Sequence, residues 1–266
     1  MNKVLPYIIF VVWIVAGLSG AICGQDETDE DSRDTLKLRD LPWAEKELNS
    51  VGEIVQSDLY LRSDATEDAF KQNAGRFGII HLATHVILDD KEPLYSKFVF
   101  SKNPSSDEDG FLHLYELYTM RFRANMAVLS ACQTGIGKSV KGEGMMSLAR
   151  GFAYAGCPSV VMSLWAIDDK ATSMVVNKFY EGLAQGRSKD AALRHAKLAL
   201  INSRDPVLSN PYYWAGLVIV GNTDSLAIQP PGDDGGYWFF GVVAVIVLVT
   251  YFLLKKSMKR EKAVPH

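Results

Sequence analysis

The chain has 266 residues, of which 48% are hydrophobic and 22% are charged, a balance that excludes both a disordered chain and a polytopic membrane protein. Its formal charge of −3 excludes the basic face that a nucleic-acid partner requires. Its 3 cysteines are too few for a disulfide framework or a four-thiolate zinc site. We therefore predict no metal ion and no cofactor, and one α/β domain between two apolar ends.

The N-terminal 25 residues have the pattern of a secretory signal peptide. Lys3 is followed by an apolar run over residues 4–15 and then by small residues such as Ala16 and Gly17. An uncleaved membrane anchor is the alternative, because the uncharged stretch is nearly long enough to span a bilayer. Residues 26–40 are dominated by acidic side chains, which predicts a solvated linker.

The middle of the chain alternates between helical and strand-like patterns. Apolar periodicity predicts helices over residues 41–55, 66–73, 144–155, 171–185 and 188–202. Short apolar runs predict strands over residues 77–83, 126–130, 160–165 and 214–220. This alternation indicates an α/β fold with a mostly parallel sheet and helices on both faces. In such sheets the functional residues gather at the carboxyl ends of the strands.

The C-terminal part predicts a membrane anchor. After a linker over residues 226–236, residues 237–254 form an uninterrupted apolar run. As a helix, this run would be about 27 Å long, which is close to the thickness of the hydrocarbon core. The tail over residues 255–266 is basic, so it is predicted to be cytoplasmic. We expect a single-pass membrane protein whose domain faces the periplasm or the cell exterior.

Two reactive side chains follow predicted strands. His85 comes just after the strand over residues 77–83, and Cys132 comes just after the strand over residues 126–130. If these strands are neighbours, the imidazole can meet the thiol and lower its pKa, which produces a nucleophilic thiolate. Gly135 and Gly137 would leave backbone N–H groups for an oxyanion. The alternative is that Cys132 is simply a small buried hydrophobic residue.

A nucleotide-binding loop is a rival interpretation of the same segment. Residues 137–139 read Gly-Lys-Ser between a strand and a helix, as in a P-loop. That motif requires a glycine at the position of Cys132, and no Asp ends the strand over residues 160–165. We therefore favour the thiol chemistry.

Several motifs in order carry a resemblance to a known family. They are the runs over residues 128–137, 142–144, 148–152, 155–156, 160–161, 163–165 and 168–172, with His-Leu-Ala-Thr-His upstream at residues 81–85 and Pro-Tyr-Tyr-Trp-Ala downstream at residues 211–215. Together they resemble the CHAT domain, a caspase-like domain found beside tetratricopeptide repeats. The likeness extends over about residues 41–221, so we bound the domain at residues 41–225. It implies a caspase-like, mostly parallel sheet and a cysteine endopeptidase.

The resemblance implies a role for each matching residue. Cys132 matches the nucleophile, and His85 matches the general base and acid. His81 matches the family's first histidine, which we interpret as a structural residue beneath the site. The backbone N–H groups of Cys132 and Val86 would form the oxyanion hole.

Two acidic residues match a substrate-specificity position of the family. In its separase relatives, the stretch that corresponds to Asp168 and Asp169 supplies an acid that recognises a basic residue before the cut. The alternative is that Asp169 caps the helix that begins near Lys170.

The sequence departs from the family in three ways. Val86 stands where the family usually has glycine, and a β-branched residue does not adopt a positive φ. Only the signal peptide and linker precede Leu41, so we expect the domain to lack the family's first strands. No repeats precede the domain, so a separate repeat-containing chain would be the partner. Cys157 is expected to be buried rather than paired with Cys132.

These observations together predict a membrane-anchored, caspase-like cysteine endopeptidase that acts on a protein or peptide substrate. The alternative is a catalytically inactive CHAT-like module that mediates protein–protein interaction at the membrane.

Overall fold

A computed structural model describes residues 9–13, 41–89, 91–130, 132–133 and 143–231, with residues 9–13, 132–133 and 143 described by their backbone alone. These residues belong to one structural unit, Met1–Pro231. The second unit, Gly232–His266, lies outside the described residues and contains the predicted membrane span and basic tail. The acidic linker and most of the predicted signal peptide also lie outside them. Among the described residues, no helix has the length and apolar character that a membrane crossing requires.

Helices and strands alternate along the described part of the chain. The helices are α1 (Pro42–Ile54), α2 (Glu67–Asn73), α3 (Leu114–Leu117), α4 (Glu143–Tyr154), α5 (Asp169–Ala184) and α6 (Lys189–Ile201). The strands are β1 (Ile9–Trp13), β2 (Ser57–Leu61), β3 (Ile79–Leu82), β4 (His85–Ile87), β5 (Lys97–Val99), β6 (Phe111–His113), β7 (Met126–Leu129), β8 (Cys132–Gln133), β9 (Ser159–Ser163) and β10 (Leu217–Gly221). All five predicted helices and all four predicted strands are present. The last strand begins three residues later than predicted.

The main sheet has six strands in the order β10-β9-β7-β3-β1-β2. Every neighbouring pair from β9 to β2 is parallel. Only β10 at the edge runs antiparallel, against β9. The prediction of an α/β fold with a mostly parallel sheet is therefore confirmed. The neighbouring positions of β3 and β7 also confirm that the two strands before the candidate site residues lie side by side.

Helices cover both faces of this sheet, and the strand residues alternate between two cores. Ile79 and Met126 pack in one core with α1, α5 and α6. Ile80 and Ala127 pack in the other core with α2, α3 and α4. Successive strand side chains point to opposite faces, so a strand that is apolar at every position fills both cores. The continuous hydrophobic runs in the sequence have this cause.

A second, smaller sheet was not predicted from the sequence. Its order is β6-β5-β4-β8, and each strand has only two or three residues. β4 pairs with β5 in the antiparallel sense and with β8 in the parallel sense. This sheet continues the chain beyond the carboxyl ends of β3 and β7, where the candidate site residues lie.

A strand precedes Leu41, which differs from the expectation that the domain lacks early strands. β1 lies inside the main sheet, in parallel register with β2 on one side and β3 on the other. Its residues belong to the apolar run from which the signal peptide was predicted. The run is rich in β-branched and aromatic residues, which suit a strand buried on both faces as well as a signal peptide.

Candidate functional site

His85 is the first residue of β4, three residues after β3 ends at Leu82. Between the two strands, the buried hydroxyl of Thr84 donates a hydrogen bond to the carbonyl oxygen of Val99 in β5. This bond attaches the start of β4 to its neighbour. His85 is only 1% exposed. The imidazole therefore belongs to a short segment that is held from both ends.

Cys132 is the first residue of β8, three residues after β7 ends at Leu129. The backbone of β8 runs parallel to β4, and His85 is in register with Cys132. Neighbouring strands lie about 4.8 Å apart. The fold therefore brings the two predicted site residues together from positions 47 apart in the sequence.

Val86 follows His85 in β4 and has a strand neighbour on each side. It is in register with Phe98 of β5 and with Gln133 of β8. Among the described non-glycine residues, a positive φ occurs only at Arg62, so Val86 does not take the left-handed conformation open to glycine. Its side chain is buried in the core. Valine is accommodated here because the position is an ordinary strand position.

Below the two strand ends, His81 lies at the centre of a group of buried polar side chains. Its Nε2 is 3.0 Å from the Ser130 hydroxyl and 2.9 Å from a Glu47 carboxylate oxygen. Its Nδ1 is 3.4 Å from the Tyr180 hydroxyl, and the two rings stack with centroids 5.6 Å apart. His81 is fully buried, so it is a structural residue of the folded domain, as the sequence analysis interpreted it. The sequence analysis missed its three partners.

Asp168 and Asp169 lie between β9 and α5, and their helix-capping roles differ from the expectation. Asp168 is the N-cap residue of α5, and its carboxylate accepts a hydrogen bond of 3.1 Å from the backbone N–H of Ala171. Asp169 is instead the first residue of the helix and is half-buried. The capping role therefore falls on Asp168, one position earlier than the sequence suggested.

The loop before Asp168 is attached to the segment that precedes β10. The indole N–H of Trp165 donates to the Tyr212 carbonyl oxygen at 3.0 Å, and the Tyr212 hydroxyl donates to the Ala166 carbonyl oxygen at 2.6 Å. The ring of Trp165 also packs against Gly216, where a Cβ atom would come within 2.6 Å of it. These contacts fix the path of the chain towards the two acidic residues.

Cys157 is a buried residue, as predicted. Its thiol donates to the Ser159 carbonyl oxygen at 3.3 Å, and burial raises the pKa of the thiol from 9.0 to about 11. It lies just before β9 begins, whereas Cys132 follows the end of the parallel neighbour β7. The two cysteines are thus at opposite edges of the sheet, which excludes a disulfide between them in this fold.

One cluster of described side chains has the composition of a metal site. The carboxylates of Glu67, Glu108 and Glu116 offer oxygen atoms within 4.8 Å of one another. The ammonium group of Lys71 lies 2.7 Å from each of the three. A metal ion could bind these oxygens only by displacing Lys71, which already supplies the positive charge.

The sequence comparison agrees with the motifs and with this arrangement of strands. The chain matches the CHAT domain family over residues 16–222, which is most of its length. The protein therefore belongs to the CHAT domain family. The match begins upstream of Leu41 and overlaps both the predicted acidic linker and the end of the predicted signal peptide.

Two curated relatives carry this similarity in animals. The chain is 24% identical over 238 residues to mouse tetratricopeptide repeat protein 28 and 23% identical over 234 residues to the human protein of the same name. Each alignment covers 76% of this chain but only 9% of the relative. The chain therefore spans less than a tenth of the length of these relatives.

Two solved structures have a partly similar fold. The arginine-specific cysteine proteinase gingipain R matches with a TM-score of 0.49, over 84% of this chain and 48% of that one. The complex of the Porphyromonas gingivalis RgpB pro- and mature domains matches with a TM-score of 0.47, over 85% and 49%. Both are 8% identical to this chain. Similarity at this level does not bear on function.

Proposed function

We propose that this chain is a cysteine endopeptidase in which His85 and Cys132 form the catalytic pair. The observation that carries the proposal is the parallel register of these two residues on β4 and β8. Membership of the CHAT family supports the same assignment. The substrate is a protein or peptide, and the two residues act on one peptide bond.

In the proposed reaction, the His85 imidazole takes the proton of the Cys132 thiol, and the thiolate attacks the peptide carbonyl carbon. The backbone N–H groups of Cys132 and Val86 stabilise the negative charge that forms on the carbonyl oxygen. His85 then returns the proton to the leaving amine as the C–N bond breaks. A water molecule hydrolyses the thioester, with His85 again accepting a proton, and this restores the free thiol.

The proposal is tested by measuring how fast iodoacetamide alkylates Cys132 between pH 5 and pH 9. An isolated thiol has a pKa near 8.5, whereas a thiol paired with an imidazolium reacts well below pH 8. We expect alkylation at low pH in the unmodified chain and its loss in His85→Ala. Cys132→Ser identifies the labelled residue, and His195→Ala on α6 is the matched control. Equal pH profiles for the unmodified chain and His85→Ala would refute the catalytic pair.

We also propose that Asp169 recognises a basic residue before the cut. Asp168 is engaged as the helix cap, whereas Asp169 is the half-buried acid beside it. A library of peptides that differ only in the residue before the cut measures this preference. Asp169→Ala should reduce cleavage after Arg and Lys, and Asp169→Glu should retain more of it. An unchanged preference in Asp169→Ala would refute this role.

A second candidate function is a non-cleaving interaction module, and the burial of His85 favours it. A side chain that is only 1% exposed offers a peptide bond little access. If this candidate is correct, Cys132 will show no reactivity at low pH. The alkylation profile therefore distinguishes the two functions.

We propose further that the domain is anchored to a membrane by residues 237–254 and faces away from the cytoplasm, with a repeat-containing chain as partner. The apolar run and the basic tail support the anchor, and the names of the curated relatives support the partner. Protease added to intact cells, and to cells with a permeabilised outer envelope, tests the topology. Full protection of the domain in both would refute it. Cross-linking of the full chain in its membrane tests the partner, and a map without any repeat-containing chain would refute that part.

A further inference from the structure

A buried polar cluster lies directly beneath the proposed catalytic pair. It consists of Glu47 in α1, His81 in β3, Ser130 after β7 and Tyr180 in α5, and all four residues are buried. Glu47 is 2% exposed, although carboxylates are almost never buried unless they are paired. Placing such a group in the core is costly. The cluster therefore requires an explanation beyond simple packing.

The contacts within the cluster are consistent with one arrangement of protons. Burial raises the pKa of Tyr180 well above its ordinary value, so its hydroxyl keeps its proton and donates to Nδ1 of His81. The imidazole proton then lies on Nε2, where it meets the Ser130 hydroxyl and the negative charge of Glu47. Because both of these groups contact the same nitrogen, the cluster lacks the geometry of a catalytic triad, in which acid and nucleophile contact opposite ring nitrogens.

The cluster connects the two chain segments from which the catalytic pair emerges. His81 lies four residues before His85, and Ser130 lies two residues before Cys132. The hydrogen bond between the side chains of His81 and Ser130 thus joins these segments just below the pair. A second bond, 3.1 Å from the Ser130 backbone N–H to the Leu82 carbonyl oxygen, joins them again.

This connection is important because β8 is short. It has two residues, and among the described residues it pairs only with β4. Two ladder positions alone cannot hold a segment firmly, because fixing each residue costs about 1–2 kcal/mol of backbone entropy. The bond at Ser130 fixes the chain immediately before β8 begins.

We propose that Glu47, His81 and Ser130 are positioning residues that hold Cys132 in register with His85. Glu47 fixes the orientation of the His81 ring, His81 holds Ser130, and Ser130 sets where β8 starts. The importance of this arrangement for catalysis rests on the proposed endopeptidase function, but the positioning itself is a property of the fold. It can therefore be measured without any catalytic activity.

The experiment replaces the imidazole with a second thiol in the full chain. His85→Cys places two cysteines in register on parallel neighbours, at a Cα separation of about 5 Å, which a disulfide can bridge. Cys23→Ser removes the other thiol that could compete, and Cys157 is buried. The rate of disulfide formation between Cys132 and the introduced thiol reports how well the register is held.

We expect Ser130→Ala and Glu47→Gln to slow this disulfide by about five- to tenfold, the population change that follows from losing a net hydrogen bond worth about 1–1.5 kcal/mol. Ser130→Thr keeps the hydroxyl and should restore the rate. Ser159→Ala is the matched control, because it removes a buried hydroxyl at the opposite end of the neighbouring strand β9. Thermal unfolding of each variant identifies any that fails to fold. In that event Ser130→Thr and Glu47→Gln carry the test.

Each outcome has a distinct meaning. Equal rates in the parent, Ser130→Ala and Glu47→Gln would overturn the positioning role. The absence of the disulfide from every variant, the parent included, would overturn it as well, because no register would exist to hold. If the rate depends on the cluster but Cys132 shows no alkylation at low pH, the positioning role stands and the endopeptidase proposal fails.

Discussion

The carboxylate of Glu67 lies almost fully buried in the first turn of α2, where it shares the ammonium group of Lys71 with Glu108 and Glu116. One positive charge cannot neutralise three negative charges, so the most buried of the three acids holds a proton most tightly. Burial raises the pKa of Glu67 from 4.5 to about 7, against the opposing effect of Lys71. The backbone N–H of Gly110 donates to its second oxygen at 3.0 Å.

This shift predicts a pH dependence of stability that Glu67→Gln removes. The folded state binds the Glu67 proton more tightly than the unfolded state does, so its contribution is complete below pH 4.5 and is lost as the pH rises to 7. At 1.36 kcal/mol per pKa unit, the loss amounts to about 3 kcal/mol. Urea unfolding at intervals from pH 4.5 to pH 8 measures it.

The informative quantity is the difference in unfolding free energy between the unmodified chain and Glu67→Gln. We expect this difference to change across the interval as the unmodified chain loses stability. Glu53→Gln, at an exposed position of α1, is the matched control and should follow the unmodified chain at every pH. Parallel curves for the unmodified chain and Glu67→Gln would show that Glu67 titrates normally.

At the scale of elements, α4 and α5 end in the same way but meet different surroundings. Each is followed by a glycine with positive φ, Gly156 at 104° and Gly186 at 77°. In both, the glycine N–H and the next N–H bond back into the last turn in a Schellman motif. A Cβ atom at Gly156 would lie 3.0 Å from the Phe122 carbonyl oxygen, whereas at Gly186 it would meet nothing within 4 Å.

We predict that Gly156→Ala destabilises the protein more than Gly186→Ala does. The left-handed conformation costs a residue with a Cβ atom about 1–2 kcal/mol, and Gly186→Ala should lose about that amount. Gly156→Ala should lose about 3 kcal/mol or more, because the backbone of Phe122 must also move. Thermal and urea unfolding of both variants measure the difference. Equal losses would mean that the contact with Phe122 relaxes without cost.

The same scale shows what the sequence could predict. β3 and β7 were predictable because they are buried on both faces, which makes every residue apolar, and the helices were predictable from their apolar periodicity and their caps. The strands of the second sheet have only two or three residues, too few for a period to appear. Their pairing depends on contacts between segments far apart in the sequence, and these are visible only in the fold.

The candidate site was predictable to a similar extent. His85 and Cys132 stand out because each follows a buried strand, and the neighbouring positions of those strands follow from parallel-sheet architecture. The partners of His81 come from α1, α5 and the end of β7, and no spacing in the sequence connects them. The helix cap was displaced by one residue because Asp168 and Asp169 are chemically alike, so only the backbone geometry distinguishes them.

At the scale of the whole molecule, β1 holds β2 to the rest of the main sheet. It is paired on both sides, so β2 contacts the other strands of that sheet only through it. An interior strand that loses a backbone N–H loses a ladder hydrogen bond, and proline also cannot adopt an extended φ. Both neighbours would be disturbed by one substitution.

Val11→Pro should therefore destabilise the full chain by about 3 kcal/mol, measured by urea unfolding of protein whose N-terminus mass spectrometry has verified. Thr28→Pro, in the predicted acidic linker, is the control and should have little effect. Unchanged stability in intact Val11→Pro would remove β1 from the sheet. A purified chain that lacks the first 21 to 25 residues would instead confirm the predicted signal peptide.

The interior position of β1 also sets an order of events during synthesis. Ile9 pairs with Ser57 and with Ile79, so this greasy segment leaves the ribosome 48 residues before its first sheet neighbour and 70 before its second. At about 5–20 residues per second, it waits roughly 2–10 s for the first of them. During that interval export factors can capture it without competition. Whether the nascent chain reaches a membrane or completes its sheet is therefore decided by a race, and slower translation between residues 13 and 57 would favour export.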